Sequence, residues 1–378
     1  LGPGYKVIGS YGHITHLSNL KQIDFENNYK PKFEILDAKK SQVSKLKQAI
    51  ANAKEVILAT DDDREGEAIA WHITQVFKLN PTETKRIIFH EITERAIKKA
   101  LANPGVINMD LVFAQQGRQI LDLIVGFKIT PTLWKHIVSN TKNSLSSGRC
   151  QTPALRLVYE NYKEIQESPG KVSFNTTGIF TGRNLIFTLN HNHVSHKEIK
   201  SFLELSKTHE HILSKDPVKE TKKTQPIPFT TSGLQQSANN LMNISPKETM
   251  SLAQKLYEGG FITYMRTDSK VYSEEFIESG IEYIKKNYNA AHLNPDMASI
   301  TQRDADDKPE DDTKKKKKDN NNAQEAHEAI RPTNILLVKL PDDGEIFTPR
   351  HKKLYKLIWN NSLESLMAPA TYKQQVVI

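Results

Sequence analysis

Three acidic residues at alternate positions, Asp61, Asp63 and Glu65, are the part of this sequence best suited to chemistry. They stand in the stretch DDDREGEAIAWH, directly after the apolar stretch KEVILAT. Carboxylates this close together repel one another, and each ionised group is costly without a partner. Oxygen ligands of this kind suit Mg²⁺, which usually joins one or two carboxylates to phosphate. An acidic first helical turn stays open as an alternative, but it accounts for Glu65 and not for Asp61 or Asp63.

A tyrosine and an arginine two residues apart form a second candidate site, in the stretch GGFITYMRTDS. Tyr264 and Arg266 alternate on a segment typical of a strand, so we expect both side chains on the same face. A phenol with a pKa of about 10 is a weak nucleophile unless its anion is stabilised. Arginine can hold phosphate oxygens and stabilise the charge that develops on them. An ordinary aromatic strand pair is the alternative.

Two further stretches carry side chains suited to phosphate. In AHEAIRPT, His327 and Arg331 are four residues apart, which predicts one face of a helix that ends at Pro332. His327 could shuttle a proton near neutral pH, and a capped surface helix is an equal alternative. In SSGRCQTPALRLV, Arg149 and Gln151 stand in a glycine-containing turn that opens a helix, an arrangement suited to a nucleic-acid backbone.

The elements that must position these residues follow from hydrophobic periodicity. Strand 54–60, helix 65–79, strand 86–92 and helix 93–102 alternate, which predicts an α/β domain with a largely parallel sheet. Because ligands bind at the carboxyl ends of such strands, the acidic stretch lies where a site is expected. Residues 109–138, 151–167 and 232–258 are predicted to be helical, and alternating stretches from about residue 171 predict β structure.

Length and composition restrict the class of protein. The chain has 378 residues, a formal net charge of +8 and one cysteine, Cys150. We expect two or more domains, an acidic polymer as partner, and neither an internal disulfide nor a multi-cysteine zinc site. No apolar run is long enough for a membrane span and no signal peptide is evident, so an intracellular, cytoplasmic location is expected. Residues 301–325 combine an acidic block with five lysines and predict a disordered insertion.

Taken together, these stretches resemble the type IA DNA topoisomerases, in particular the bacterial topoisomerase I branch. Toprim primases and nucleases share DxDxE, but the tyrosine stretch together with SSGRCQTP narrows the resemblance. The matching stretches follow the order of the family: GYKVIGSYGHITHL, ATDDDREGEAIAWH, FHEITERAI, NMDLVFAQQGRQILDLIVGFKITPTLW, SSGRCQTPALRLV, PFTTSGLQQSA, LYEGGFITYMRTDS and AHEAIRPT.

The resemblance implies a role for each matched residue. Tyr264 matches the nucleophile that becomes a 5′-phosphotyrosine, Arg266 matches the residue that stabilises the phosphoryl group, and His327 matches a catalytic position. Mg²⁺ is expected on the three carboxylates described above. The expected DNA contacts are Arg118, Arg149, Gln151 and Arg331. This sequence departs from the pattern of the bacterial branch at Gln119 and Leu123, where that branch usually has arginines.

The implied architecture is a multidomain α/β plus α protein in which a Toprim domain, helical DNA-binding domains and a β-rich arch form a torus. We expect Toprim at 1–106, a helical DNA-binding domain at 107–165, the arch at 166–225 and 340–378, and the tyrosine-bearing helical domain at 226–339. The family has a glutamate and a lysine ahead of the GYKV stretch, so we expect this sequence to be a fragment that lacks the first Toprim strand and the C-terminal part.

The expected function is ATP-independent, Mg²⁺-dependent relaxation of negatively supercoiled DNA by a monomer, through single-strand cleavage, strand passage and religation. We expect it at a bacterial nucleoid, or in a host cell or virion if the source is viral. One phosphodiester is exchanged for another, so no ATP is needed, and the sequence has no GxxxxGK[ST] loop. Two alternatives stay open: a single-stranded DNA-binding fragment that cannot cut, and a Toprim nuclease or primase.

Overall fold

The computed structural model describes residues 2, 4–137, 145–180, 182–297, 327–341 and 347–378. These residues form two compact units. The first comprises Leu1–Ser146 and Thr224–Pro369, and the second comprises Ser147–Lys223 and Ala370–Ile378. The predicted insertion at 301–325 lies outside the described residues. No helix in the described part of the chain is both long and apolar enough to cross a membrane.

Helices form most of the regular structure of the described residues. In chain order they are α1 (Lys40–Ala51), α2 (Arg64–Phe77), α3 (Glu94–Ala102), α4 (Met109–His136), α5 (Gln151–Glu167), α6 (His196–Ser206), α7 (Thr231–Met242), α8 (Pro246–Glu258), α9 (Glu274–Asn287) and α10 (Pro349–Ser365).

The strands are short and occur in pairs. They are β1 (Thr15–His16), β2 (Ile23–Asp24), β3 (Lys30–Pro31), β4 (Glu34–Ile35), β5 (Ile57–Leu58), β6 (Lys85–Arg86), β7 (Thr177–Phe180), β8 (Leu185–Thr188), β9 (Lys219–Lys223) and β10 (Ala370–Gln374). The pairs are β1–β4, β2–β3, β5–β6, β7–β8 and β9–β10, of which β5–β6 is parallel and the others antiparallel.

The parallel pair β5–β6 carries the acidic stretch in the first unit. Ile57 lies opposite Lys85 and Leu58 opposite Arg86, with α2 between the two strands in sequence. The predicted β–α–β–α order and the mixed α/β class are therefore confirmed, although both strands are shorter than expected. The core beside them is small and contains Ile14, Leu58, Ala70, Ile73, Ile107 and Val112.

A larger core in the same unit surrounds the tyrosine stretch. Helices α7, α8 and α10 pack together, and the buried side chains include Leu256, Tyr264, Leu354, Ile358 and Trp359. Helix α10 therefore belongs to this core, whereas the sequence analysis assigned 340–378 to the β-rich arch. The sequence PRHKKLYKLIWNNSLES has apolar residues at helical spacing, and burying them against α7 and α8 stabilises this position.

The second unit contains α5, α6 and two antiparallel strand pairs. The alternating stretches after residue 171 form β7 and β8, with Gly178 opposite Phe187 and Ile179 opposite Ile186. Strand β10 pairs with β9 along five residues, from Ala370 opposite Lys223 to Gln374 opposite Lys219. Helix α5 belongs to this unit, whereas the sequence analysis placed residues 151–165 with the helical region that contains α4.

Candidate active site

The acidic stretch is a tight turn between β5 and α2. Asp63 is the N-cap of α2, and its Oδ1 accepts a hydrogen bond from the Gly66 backbone at 2.7 Å. A Cβ at Gly66 would collide with the Asp61 carbonyl oxygen, so glycine permits this turn. The hydroxyl of Thr60 donates to the Gly66 carbonyl at 2.7 Å, which closes the turn on its other side. Carboxylates at consecutive positions are thereby held at the end of β5.

A buried arginine fixes this turn to the neighbouring strand. The Nη2 atom of Arg86 donates to the Asp61 carbonyl at 2.8 Å, and Nε donates to Glu67 Oε2 at 3.1 Å. Glu67 also accepts the Asn108 backbone N–H at 2.6 Å, at the start of α4. Because both charges are buried and multiply hydrogen-bonded, this pair is structural. It accounts for the fifth carboxylate of the stretch, that of Glu67.

Tyr264 and Arg266 both reach the same carboxylate of this turn. The Tyr264 hydroxyl donates a short hydrogen bond to Asp63 Oδ2, and Arg266 Nη1 lies 3.5 Å from the same oxygen. Tyr264 is buried, whereas the Arg266 side chain is 58% exposed. The alternating spacing in the sequence predicts such a shared face, and the two side chains meet on the residue that caps α2.

The backbone of the tyrosine stretch lies against residues 90–92, which follow β6. The Tyr264 N–H donates to the His90 carbonyl at 2.8 Å, and the Thr263 N–H donates to the Arg331 carbonyl at 3.0 Å. Gly260 has a φ of +76°, and a Cβ there would lie 2.5 Å from the Ile92 carbonyl oxygen. The close approach therefore depends on a glycine at the second position of the GG turn.

The environment of Tyr264 keeps its hydroxyl protonated. Burial, and then the negative charge of Asp63 and the hydrogen bond to it, raise the pKa of Tyr264 above the ordinary value, and Arg266 opposes this only in part. A phenol of this kind is not ionised at neutral pH. A nucleophilic role would require that the proton leaves during attack rather than before it.

Glu65 is held by partners from two distant parts of the chain. Its Oε2 contacts His13 Nε2 at 3.0 Å and accepts from Gln115 Nε2 at 3.0 Å, while Arg118 Nη1 lies 3.9 Å from Oε1. The hydrogen bond with His13 is the largest influence and lowers the pKa of Glu65, against the opposing effect of burial. Sequence reasoning selected Arg118 but missed His13 and Gln115, although both stand in stretches that carry the resemblance.

A third group surrounds Asp62. His90 Nδ1 lies 3.5 Å and His327 Nε2 lies 3.9 Å from Asp62 Oδ2. The His327 ring stacks on Tyr264, with centroids 5.5 Å apart and planes 29° from parallel. Burial lowers the pKa of His327, which Asp62 opposes, so the ring is neutral near pH 7. Sequence reasoning missed Asp62 and His90.

The predicted helix around His327 is wrong. Among the described residues 327–333 no helix forms, and the segment is extended. Ile330 forms a β-bridge with Phe229, and Pro332 forms one with Ile262. These bridges join distant parts of the chain, which the four-residue spacing of a histidine and an arginine could not indicate. His327 nevertheless reaches the tyrosine.

Arg331, predicted to contact DNA, lies in the core. Its guanidinium is buried and donates to both carboxylate oxygens of Glu328 at 2.8 Å. It also lies 3.2 Å from Glu91 and stacks over the Phe276 ring, with 4.7 Å from the guanidinium carbon to the centroid. A side chain that is paired with two carboxylates inside the core positions the extended segment.

The three predicted metal ligands lie on one turn but do not converge. Among the described residues, the group of three ligand atoms within 4.8 Å of one another is Asp62, His90 and His327, and not the predicted set. Burial, followed by the charge of Asp63, raises the pKa of Asp61, so these two carboxylates already repel one another. Arg149 and Gln151 belong to the second unit, where Gln151 begins α5.

The chain matches two family models that together cover most of its length. A Toprim domain matches residues 2–92, which include the acidic turn, and a DNA topoisomerase family matches residues 106–378, which include Tyr264. The fold and the site therefore place this protein in the class of enzymes that contain a Toprim domain. The chain belongs to the type IA DNA topoisomerases, of the bacterial type.

Similarity to a solved topoisomerase structure supports the assignment of this chain to that family. Full-length topoisomerase I from Thermotoga maritima, in a monoclinic crystal form, is similar to this chain with a TM-score of 0.76 and 35% sequence identity. The match covers 99% of this chain and 59% of that chain. This sequence therefore spans less than two thirds of the length of that protein.

Proposed function

We propose that this protein changes the topology of DNA by cutting one strand with Tyr264, passing the other strand through the gap and rejoining the cut. The observation that carries this proposal is the meeting of Tyr264, Asp63 and Arg266 at the end of β5. Negatively supercoiled DNA is the proposed substrate, cleaved where it is single-stranded, in the cytoplasm and by a monomer. The formal charge of +8 suits a polyanion.

The proposed step exchanges one phosphodiester bond for another. The Tyr264 hydroxyl gives up its proton as its oxygen attacks phosphorus, the bond from phosphorus to the 3′ oxygen breaks, and that oxygen takes up one proton and leaves as a hydroxyl, so that protons balance. The product is a 5′-phosphotyrosine, and religation reverses each change. Since the bonds formed and broken are of one type, the cycle needs no ATP.

The side chains around Tyr264 support the movement of its proton. Asp63 accepts the Tyr264 hydroxyl hydrogen bond, so it is placed to take the proton as the oxygen attacks. Arg266 is the exposed cation of this group and is placed to hold the phosphate oxygens. His327 stacks on the tyrosine ring and is placed to orient it. Arg118, Arg149 and Gln151 are proposed contacts to the DNA backbone.

We propose that Asp61, Asp63 and Glu65 hold Mg²⁺ when DNA is bound. The donor set fits this ion, because all three offer hard oxygen atoms and Asp61 carries a pKa raised by burial and by Asp63, a repulsion that a cation would relieve. Bound there, Mg²⁺ would supply positive charge to the phosphate. Only one or two carboxylates are needed, so ligands that do not all converge still suit it.

A covalent trapping assay with two matched variants tests the nucleophile. The protein is mixed with a 3′-labelled single-stranded oligonucleotide, with and without Mg²⁺, and denatured. Tyr264→Phe should abolish the label that migrates with protein. Tyr257→Phe is the control, because Tyr257 is an equally buried neighbour with ring centroids 5.3 Å apart, and its hydroxyl has no hydrogen-bond partner among the described residues.

Each outcome of the trapping assay distinguishes the open alternatives. Adduct that persists in Tyr264→Phe would reject the assigned nucleophile. Hydrolysed ends without an adduct would indicate a Toprim nuclease. Oligonucleotide binding that weakens with salt, with no cleavage in Mg²⁺, would indicate a binding fragment.

A further inference from the structure

Asp62 and two histidines form a compact group beside the acidic turn. The three ligand atoms, Asp62 Oδ2, one nitrogen of His90 and one of His327, lie within 4.8 Å of one another. We propose that these residues form a second divalent-metal site, selective for zinc-class ions and separate from the carboxylates assigned to Mg²⁺. The proposal concerns metal binding alone and does not depend on strand cleavage.

The donor chemistry separates this site from a magnesium site. Two imidazoles and one carboxylate suit Zn²⁺, Co²⁺ or Ni²⁺, whereas Mg²⁺ prefers six oxygen ligands. Catalytic zinc sites commonly use three protein ligands and leave a fourth position open. Ligand atoms of a tetrahedral zinc ion lie roughly 3.3 Å apart, given bonds of about 2.0–2.1 Å. The observed 3.5 Å and 3.9 Å separations from Asp62 are close to this value.

The histidines also have buried nitrogen atoms that lack partners. His90 Nδ1 is buried without a hydrogen-bond partner among the described residues, and it faces Asp62 at 3.5 Å. An unpaired buried polar atom costs free energy, so it needs an explanation. The His327 side chain is only 4% exposed, and its Nε2 is directed to the same carboxylate oxygen. A metal ion between these atoms would give His90 Nδ1 the partner that it lacks.

The surrounding structure holds the three ligands in place. The His90 carbonyl accepts the Tyr264 N–H, the His90 and His327 rings meet edge to face with centroids 5.2 Å apart, and Tyr264 stacks on His327. Asp62 lies between Asp61 and Asp63, whose negative charges favour a cation nearby. A metal at this site would therefore fix the ring that contacts the tyrosine.

Calorimetric titration with Zn²⁺ in the presence of excess Mg²⁺ tests the proposal. We expect one site per chain in the wild-type protein that Mg²⁺ does not displace. His90→Asn should weaken binding at this site by roughly tenfold or more. The control is His191→Asn, because His191 is exposed and its ring lies beside that of His193 in the second unit, with centroids 4.8 Å apart, which is another place where zinc could bind. That control should leave the Mg²⁺-resistant site unchanged.

A second ion and a second variant distinguish loss of a metal ligand from misfolding of the variant. Co²⁺ should give visible absorption bands of a nitrogen-containing, low-coordinate shell, and Asp62→Asn should alter those bands while far-ultraviolet circular dichroism stays unchanged. Equal zinc binding by wild-type and His90→Asn proteins would overturn the proposal. Loss of the site in His191→Asn, or its displacement by Mg²⁺, would overturn it as well.

Discussion

At the scale of single residues, Asp63 connects the fold to the proposed chemistry. One carboxylate oxygen caps α2, and the other accepts the Tyr264 hydroxyl and lies near Arg266. The cap stabilises the helix by about 1 kcal/mol, a contribution that asparagine would retain. The negative charge has a different effect, because it raises the pKa of Tyr264 and holds its proton. The structural and the proposed catalytic roles of this residue can therefore be separated.

Asp63→Asn should leave stability nearly unchanged while cleavage falls by about 10²-fold or more, the usual loss when a proton acceptor is removed. The rate of covalent adduct formation is compared with the midpoint of thermal unfolding. Asp37→Asn is a matched control, because Asp37 is an exposed carboxylate paired with Lys40. A midpoint that falls together with the cleavage rate would contradict the separation of roles.

His72 should make stability depend on pH. Burial, and then the charge of His13, lower its pKa from 6.5 to about 4 in the folded protein. Between these values the unfolded chain binds the proton and the folded chain does not, so stability is lost as pH falls from about 6.5 to about 4. His72→Phe keeps a ring against Phe33, whose centroid lies 4.4 Å away, and removes the titrating group.

The midpoint of thermal unfolding should therefore depend less on pH in His72→Phe than in wild type across this range. It is measured at several pH values, with His292→Phe as the control because that histidine is exposed. Identical pH profiles for wild type and His72→Phe would show that the buried histidine does not contribute.

At the scale of elements, patterns local in sequence predicted structure well and patterns that depend on distant partners did not. Helix α3 begins after Thr93, whose hydroxyl accepts the Ala96 N–H, as its capping residue predicts. Strand β5 lies within the predicted apolar stretch. The extended segment that carries His327 was predicted as a helix, because its bridges to Phe229 and Ile262 involve residues far away in sequence.

In the candidate site too, features local in sequence were predictable and contacts between distant residues were not. Acidic residues after a strand and a tyrosine two residues from an arginine are visible locally, and the structure brings Asp63, Tyr264 and Arg266 together. His13 and Gln115 converge on Glu65 only through the fold, so spacing alone could not select them. Since the carboxyl ends of neighbouring strands meet, the strand order alone could have directed attention to His90.

Gly260 should be the sensitive position of the tyrosine stretch. Alanine at a φ of +76°, with its Cβ 2.5 Å from the Ile92 carbonyl, should destabilise the protein by about 1–3 kcal/mol. Because the stretch would move away from Ile92, adduct formation should fall as well. Gly126→Ala in α4 is the control, since nothing lies within 4 Å of its Cβ. That substitution should be neutral or stabilising by about 0.5–1 kcal/mol.

Thermal unfolding and adduct formation are measured on both glycine variants. Equal behaviour of Gly260→Ala and Gly126→Ala would show that the close approach to Ile92 does not position the tyrosine.

At the scale of the whole molecule, the two units differ in the number of apolar residues that they bury. Nearly all buried apolar residues of the described chain lie in the first unit, and in the second Ile199 is the buried apolar residue. Local stability follows buried apolar contact, so the second unit should open more readily. The pairing of β9 with β10 then matters, because it joins two segments of this unit that are far apart in sequence.

Hydrogen exchange on the full chain and on a variant lacking residues 370–378 tests this difference. In the full chain, amides of β9 should exchange at least about tenfold faster than amides of α8, whose Leu256 and Tyr257 are buried. The deletion removes the hydrogen-bond partner of β9, so protection of 219–223 should be lost. Protection of 246–258 should remain, because α8 packs on α7 and α10 within the other unit. If the deletion deprotected α8 to the same extent as β9, the two units would unfold as one, and the thermal midpoints predicted above would report on the whole chain rather than on the unit that carries Tyr264.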